Sequence, residues 1–535
     1  MSWDPNFIQD LSDSSIQPKF MLRFNSLPDF KGESLVLSGG FNQLGLPSIS
    51  DSGPTIRGTS VIPQTWNVSF GSFSVPLVGD IRSLFPTVTR GSIGELFCEL
   101  NGKRERIAIG QLRNIRGFGV NWRMEFVDIL SAMSSRADGT IGTEPEGNDP
   151  DRFTLFYLVN KEVNVTANWH NTLGAFPTTI SVDDIRPFKK ETGETGIAKC
   201  VSSGGAEFYV VYSSVMTTVA PAGVLNLSGA HTTSSVKYPS VNACTNLNIN
   251  DKITSAAILR GKPYEIFGKI LLSREGNSVN SFDKYPKSYN FGAYLNESIF
   301  DIGDAANQKY IKSSAPATTN YTWGYVVNNE MSNGIRSFID VTAKTGQWPT
   351  WRQDSITWRG CQDPDSSQFA KAYITTKDII RITNIDIFDP NNKTTFYRSK
   401  NIYGINSSGT ILSNLKSSSN GQSNFLPAQS IKQRDVRFVY GPDPNAFASD
   451  RLKCSIGDLN RMFVWDTNAW SKISLQVKMK YARLTAGDII EVQSEYLRSF
   501  NTENPWTKSH RALVLSVDWN FISSRCNLQI AILIR

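Results

Sequence analysis

The chain has 535 residues, of which 40% are hydrophobic and 19% are charged, and its formal net charge is +7 at pH 7. This length exceeds what one hydrophobic core normally supports, so about two to four domains are expected. The apolar content excludes a disordered chain, and the low charge with abundant Asn, Ser, Thr and Gly is typical of β-rich extracellular and virion proteins.

Residues 1–136 are predicted to form a first β-domain. Several short apolar runs are separated by regular turn residues, which favours a sandwich or barrel. The Asn101-Gly102 pair is the strongest hairpin signal in the chain. The predicted strands include Phe20–Phe24, Ser34–Leu37, Trp66–Phe70 and Phe73–Leu77.

A polar linker rich in Gly and Pro is predicted at 137–150, and a smaller inserted β-rich domain at 151–248. Its predicted strands are 153–159, 163–167 and 208–212. Apolar residues in 249–346 are spaced by three and four, which predicts helices at 253–259, 263–272 and 295–306 and a further helix that ends at Gly346. We expect these helices to bridge two β-barrels.

A second β-barrel is predicted at 347–535. A stretch rich in Ser, Asn and Gly at 405–424 is predicted to be a long flexible loop or a hairpin tip. The apolar residues of 456–477 predict one more helix.

A strand pattern near the start of the chain returns at its end. The first copy begins at Thr89-Arg90-Gly91 and closes with the alternating segment 122–130, and the second begins at Thr485-Ala486-Gly487 and closes with 526–533. Both patterns predict a strand after a Gly-containing turn, followed by a hairpin, so 112–130 and 514–533 should be equivalent. A trimer of such a chain would present six similar units and could match a sixfold partner.

The usual catalytic and metal-binding motifs do not occur in the sequence. Its three histidines, His170, His231 and His510, lack a second His three or four residues away. There is no G-x-S-x-G, P-loop or C-x-x-C, and Cys98 and Cys526 are expected to be buried strand residues. We therefore expect no catalytic, cofactor-binding or metal-binding residues, and no enzyme activity.

Paired carboxylates leave a glycan-cleaving activity as an alternative, because glycosidases need two acids. The pairs are Asp363 with Asp365 and Asp183 with Asp184, and both positions favour turns or strand caps.

Trp348, Trp351 and Trp358 leave sugar binding as a further alternative. The seven-residue spacing of the last two predicts opposite faces of one strand and hence ordinary packing.

The positive charge is densest in one short stretch, with a lesser cluster at Lys189-Lys190. Solvated hairpin faces or polar subunit contacts are favoured over nucleic-acid binding. The residues of the main cluster are Lys103, Arg104, Arg106, Arg113 and Arg116. The segment Met1–Pro5 lacks the features of a secretory signal, and no apolar run is long enough for a membrane-spanning helix.

Several segments together resemble phage tail hub proteins, the trimeric family at the distal end of the tail tube. The resemblance covers most of the chain in order and is carried by 90–130, by 263–273 with the Tyr- and Gly-containing stretch 282–292, and by the closing strands in 484–517.

The resemblance implies a mainly β fold with short helices, in which two tail-tube-like barrels flank the inserted domain and bridging region. It also implies a structural baseplate hub without a cofactor, made in the host bacterial cytoplasm and located in the virion tail. As a homotrimer it would join the tail tube or distal tail protein to the central spike, contact baseplate wedge proteins and line the DNA channel. The alternatives are a receptor-binding or glycan-cleaving tail component and another tail or capsid subunit.

Overall fold

The computed structural model describes most of residues 3–131, 162–261, 323–418, 433–439 and 465–534, with gaps inside most of these ranges. Strands dominate this part of the chain, so the predicted β-rich fold class is confirmed. The two α-helices with stated bounds are α1 (Pro5–Asp10) and α2 (Gly334–Ala343), and two 3₁₀-helices span Ile81–Leu84 and Met479–Arg483.

The strands fall into three stretches of sequence. The first stretch holds β1 (Lys19–Phe24), β2 (Leu35–Ser38), β3 (Ser48–Ile49), β4 (Thr55–Arg57), β5 (Ser60–Ile62), β6 (Asn67–Ser69), β7 (Ser72–Val78), β8 (Ile93–Leu100), β9 (Lys103–Phe118) and β10 (Asn121–Asp128). The second holds β11 (Glu162–Asn164), β12 (Thr179–Val182), β13 (Gly196–Val201), β14 (Glu207–Val219), β15 (Ala222–Leu227), β16 (Lys252–Gly261) and β17 (Trp323–Val327). The third holds β18 (Gln347–Arg352), β19 (Ser355–Gly360), β20 (Tyr373–Thr375), β21 (Ile379–Phe388), β22 (Phe396–Ile405), β23 (Ile411–Ser418), β24 (Gln433–Val439), β25 (Ala469–Lys478), β26 (Ile489–Gln493), β27 (His510–Asn520) and β28 (Arg525–Ile534).

The largest sheet has 14 strands and contains the first and last described strands, β1 and β28. Its order is β2-β1-β8-β9-β10-β7-β4-β27-β28-β25-β21, with β3 on β7, β26 on β27 and β20 on β26. Alternate residues of β7 and β25 are buried, as expected for strands with one face on a core. A single core cluster runs beneath this sheet from Trp3 to Ile532.

A second sheet forms from the middle of the chain in the order β11-β16-β13-β14-β15-β12, with β17 on β16. It has its own core, in which Trp169 stacks with Phe176 and with Phe208, with ring centroids 4.1 and 5.9 Å away. The strand prediction at 208–212 is confirmed at β14, and the one at 163–167 is confirmed for 163–164 in β11. Residues 153–159 lie outside the described residues.

Two of the predicted helices are strands. Residues 253–259 lie in β16, where Ile253 pairs with Cys200 of β13. Residues 469–477 of the predicted helix 456–477 lie in β25, and 456–464 lie outside the described residues. The buried residues Ile473, Leu475 and Val477 are two apart, which is the strand period, and short apolar runs do not separate the two periods. The helix that ends before Gly346 is confirmed as α2, and Gly346 follows it with φ of +77°.

The predictions at 263–272, 295–306 and 282–292 lie outside the described residues. Within 405–424, residues 411–418 form β23 and pair with β22, as the hairpin alternative predicts, whereas 406–410 and 419–424 lie outside the described residues. The domain boundaries at 136, 150, 248 and 346 remain predictions. The large sheet and its core include residues from both predicted barrels.

Candidate assembly surface

The turn that begins the first copy of the repeat is closed by a small hydrogen-bond network. The amide of Gly91 donates to the carbonyl of Leu112 at 2.9 Å, and the amide of Leu112 donates to the carbonyl of Ser92 at 2.8 Å. The amide of Thr89 donates to the hydroxyl of Ser92 at 3.2 Å. Gly91 has φ of +98°, a conformation that favours glycine.

The turn that begins the second copy has the same network. The amide of Gly487 donates to the carbonyl of Val514 at 2.8 Å, and the amide of Val514 donates to the carbonyl of Asp488 at 2.8 Å. The amide of Thr485 donates to the carboxylate of Asp488 at 3.0 Å, and Gly487 has φ of +100°. Each donor and acceptor has a counterpart in the first turn, so the two turns are equivalent.

The hairpins that follow also match in register. In β9 the residue bypassed by the pairing with β10 is Arg113, directly after Leu112. In β27 the residue bypassed by the pairing with β28 is Leu515, directly after Val514. A bulge bends and twists a strand, so both hairpins bend at the same point. The predicted equivalence of 112–130 and 514–533 is confirmed in hydrogen bonding and register.

The repeat extends further than the sequence indicates. Before the equivalent turns, β7 and β25 each lead into a 3₁₀-helix, and each then pairs with the last strand of its own hairpin. Phe73 of β7 lies opposite Phe126, and Ile473 of β25 lies opposite Ile530, the same position of the hairpin. We call residues 72–128 the N-terminal unit and residues 469–534 the C-terminal unit. The sequence does not reveal β25, because its apolar residues also fit a helical period.

One short strand joins the two units. Strand β4 pairs with β7 of the N-terminal unit on one side and with β27 of the C-terminal unit on the other. The units therefore do not pair with each other directly and occupy successive places along one sheet. Ile56 lies opposite Trp519, and both are only 7% exposed, so this junction is buried.

The C-terminal unit carries its own counterpart of β4. Ile56 of β4 pairs with Phe73, and Ile385 of β21 pairs with Ile473, which is the equivalent position. Strand β21 thus stands to the C-terminal unit as β4 stands to the N-terminal unit. Among the described strands, β21 pairs with β25 alone and ends the path of the sheet.

The opposite open edge is the outer half of β9. Strand β8 pairs with Lys103–Gln111, and beyond Leu112 no described strand covers the outer side of β9. Its last residue, Phe118, is 92% exposed, and Ile387 on β21 is 65% exposed. The described sheet therefore has two open edges that carry exposed apolar side chains.

Buried ion pairs between side chains stabilise both units. Glu95 on β8 is 3% exposed and accepts from Arg23 at 2.7 Å and Arg106 at 2.8 Å. Arg359 on β19 lies 3.4 Å from Asp488, and both side chains are 4% exposed. The second ion pair ties the β18–β19 hairpin to the turn of the C-terminal unit.

The turn between β20 and β21 is held by Asp378. Its carboxylate lies 2.9 Å from the ammonium of Lys480 and accepts from the hydroxyl of Tyr481 at 2.8 Å. Although burial opposes ionisation, these hydrogen bonds hold the pKa of Asp378 below its usual range. The start of the open edge strand is thus anchored to the 3₁₀-helix of the C-terminal unit.

Asp128, the last residue of β10, is buried beside the junction. It lines a small cavity with residues of both units, including Thr485 and Trp519. Burial raises the pKa of Asp128 to about 7, although its carboxylate accepts from the amide of Leu130 at 2.7 Å. The sequence offered no signal for this group.

Much of the basic cluster is engaged in ion pairs within the chain, which agrees with the prediction of hairpin faces. The pairs are Lys103 with Asp4, Arg104 with Glu99, Arg106 with Glu95 and Arg116 with Glu125. Lys189 and Lys190 lie outside the described residues.

The carboxylate pairs considered for glycan cleavage have local roles. Asp363 accepts from the amide of Asp365 at 3.0 Å, which closes the predicted turn. Asp183 accepts from the amide of Asn164 at 2.8 Å and links β12 to β11. Asp184 is buried.

The tryptophans lie on two strands, so the prediction of opposite faces on one strand is wrong. The chain reverses between Trp351 on β18 and Trp358 on β19. Trp348 and Trp358 are buried, and the indole of Trp358 donates to Gln347 at 3.1 Å. The packing role is confirmed for these two residues.

The described cysteines are free and buried, and Cys98 and Cys526 lie in β8 and β28 as predicted. Burial raises the pKa of both thiols, which disfavours the reactive thiolate. Among the described residues, His, Cys, Asp and Glu form no cluster suited to a metal ion. No helix in the described part of the chain combines the length and apolar character needed to cross a membrane.

No protein-family model matches this chain, and no curated protein is significantly similar to it in sequence. Solved structures to which it is similar include the tail protein from Neisseria meningitidis, with 9% identity, a TM-score of 0.37 and 96% of each chain covered. The prophage tail protein gp18 from Listeria monocytogenes has 7% identity and a TM-score of 0.37, with 97% of this chain and 94% of that chain covered. The 43 kDa tail protein of prophage MuSo2 from Shewanella oneidensis has 8% identity and a TM-score of 0.32, with 96% and 98% covered.

Proposed function

We propose that this chain is a structural component of a phage tail, and specifically a homotrimeric hub without enzyme activity. The observation that carries this proposal is the duplicated unit, whose two copies follow each other along one sheet through β4. Three chains with two units each supply six similar units. Such a ring can meet a sixfold tube on one side and a threefold spike on the other.

The work of this hub is mechanical. Its ring of units would continue the tail tube, or meet a distal tail protein, and leave an axial channel through which DNA passes. The central spike would close the far side, and baseplate wedge proteins would surround it. The roles found for the buried ions are structural: Glu95 and Asp488 hold strands and turns in place.

The proposal predicts the mass of the native protein. Light scattering coupled to size exclusion should give about three times the chain mass of 59.5 kDa. A hexamer would instead indicate a component of a tube ring. A monomer at every concentration would contradict the trimeric hub.

A further inference from the structure

The junction inside the chain gives a template for the contact between chains. At this junction, β27 receives β4 through Asp518↔Arg57, Trp519↔Ile56 and Asn520↔Thr55. Because the two units are equivalent, the counterpart of β27 is the outer half of β9, and the counterpart of β4 is β21. One chain cannot repeat this contact within itself, because β9 and β21 lie near opposite ends of its sheet.

We propose that β21 of one copy adds to the outer edge of β9 in a second copy of this chain. Mapping the internal pairs onto the equivalent residues gives an antiparallel register with Asp386↔Arg116, Ile385↔Gly117 and Asn384↔Phe118. This inference rests on the proposed trimeric ring and names the surface that closes it. Strand addition of this kind satisfies backbone groups at two open edges at once.

The burial of the equivalent residues supports this surface. Ile56 is 7% exposed at the internal junction, whereas its counterpart Ile385 is 38% exposed. Trp519 is buried, whereas its counterpart Gly117 is exposed, and Asn520 is half-buried, whereas its counterpart Phe118 is 92% exposed. The positions covered inside the chain are therefore open at both ends of the sheet.

The charges support the same register. Arg57 lies opposite Asp518 inside the chain. Burial raises the pKa of the Asp518 carboxyl, and the charge of Arg57 opposes this rise. The proposed contact reverses the two signs, with Asp386 on the incoming strand and Arg116 on the receiving strand. Arg116 is 69% exposed although it pairs with Glu125 at 2.8 Å, so a second carboxylate can reach it.

The contact is head to tail, since each copy offers β21 and receives on β9. Contacts of this type form closed rings when the rotation between copies returns to the start. With three copies, internal junctions and contacts between copies alternate around the ring. In such a ring, β27 of each C-terminal unit receives β4, and β9 of each N-terminal unit receives β21 of the next copy.

Disulfide trapping tests the register directly. In the full-length chain carrying Phe118→Cys and Asn384→Cys, the two new thiols lie opposite each other across the proposed contact. Copper–phenanthroline should convert this variant into covalent species up to trimers on a non-reducing gel. The described native cysteines are buried and free, and the unaltered chain under the same oxidant controls for all native thiols.

The matched control is Phe118→Cys with Ile385→Cys, because adjacent strand residues project to opposite faces. A native trimer in which the matched pair fails to cross-link, or cross-links no better than the control, overturns this contact and leaves the trimeric hub standing. A native mass other than a trimer overturns the proposed function as well. Cross-linking of the matched pair alone, in a native trimer, supports both.

Discussion

The two turn glycines show how single residues fix the repeated unit. Both Gly91 and Gly487 have φ near +100°, where a side chain costs about 1–3 kcal/mol. A Cβ on Gly487 would also lie 2.8 Å from the Cβ of Arg359, whereas the nearest atom at Gly91 is the flexible amide of Gln111 at 3.4 Å. A side chain is therefore more costly at Gly487 than at Gly91.

We predict that Gly487→Ala lowers the urea midpoint more than Gly91→Ala. Both variants share the cost of the left-handed conformation, and only the first adds a clash with Arg359. Equilibrium unfolding followed by tryptophan fluorescence measures the difference. Equal losses, or a larger loss for Gly91→Ala, would show that packing against Arg359 is unimportant.

We predict that Asp128→Asn stabilises the protein at pH 8 and has little effect at pH 4. Burial raises the pKa of Asp128 from 3.8 to about 7 in the folded chain, so the folded state holds this proton more tightly than the unfolded state. Its favourable contribution is complete below about pH 4 and is lost as the pH rises through about 7. The gain at pH 8 should be a few kcal/mol at most, about 1.4 kcal/mol for each unit of pKa shift.

Thermal melts of the variant and the parent at the two pH values measure this effect. Asp51→Asn, at an exposed position, is the control for removal of a surface charge. An equal gain at pH 4 and pH 8 would mean that the ionisation of Asp128 is not responsible.

Among the elements, the open edge strand β21 depends on Asp378, which ties its start to the 3₁₀-helix of the C-terminal unit. We predict that Asp378→Ala lowers stability by about 2 kcal/mol, because it removes charged hydrogen bonds to Lys480 and Tyr481 from a carboxylate that is 10% exposed. Since its folded pKa is lowered, this stabilisation is present above about pH 4 and fades as the pH falls further.

Urea unfolding at pH 7 and pH 3 checks this prediction. The loss relative to the parent should shrink in acid. Asp340→Ala is the matched control, because it breaks an exposed helical pair with Arg336 and should cost less than about 1 kcal/mol. A loss for Asp378→Ala no larger than for this control would contradict the anchoring role.

The elements differ in how much of them the sequence determines. Strong local sequence signals predict the Asn101-Gly102 hairpin and α2 correctly. At the hairpin, Asn101 has φ of +47°. The helix predictions at 253–259 and 456–477 fail at 253–259 and 469–477 because a few apolar residues fit both periods, and pairing with distant strands decides between them. The counterpart roles of β4 and β21 were not predictable, since both depend on pairing between segments far apart in the chain.

At the scale of the whole molecule, charge reversal tests the contact between copies in solution. We predict that Arg116→Asp and Asp386→Arg each raise the concentration at which the trimer dissociates by about tenfold or more, since each places like charges opposite one another. The double variant should dissociate at a concentration close to that of the parent, because it restores opposite charges. Arg104→Asp is the matched control, because Arg104 lies on the same strand and pairs with Glu99 as Arg116 pairs with Glu125.

Light scattering over a dilution series measures these dissociation midpoints, and circular dichroism confirms that each variant is folded. Loss in both single variants without recovery in the double variant would argue against direct pairing of the two side chains. If Arg104→Asp raised the dissociation midpoint as much as Arg116→Asp, that result would also argue against direct pairing of Arg116 with Asp386.

In the proposed hub, two equivalent units in each of three chains form one ring. Cryo-electron microscopy of the purified native protein, reconstructed without imposed symmetry, tests it most directly. We expect a threefold particle with six similar four-stranded units around an open axis, in which β21 of each chain lies beside β9 of the next. A particle whose chains meet through other surfaces, or whose N-terminal and C-terminal units lie at different distances from the axis, would contradict it.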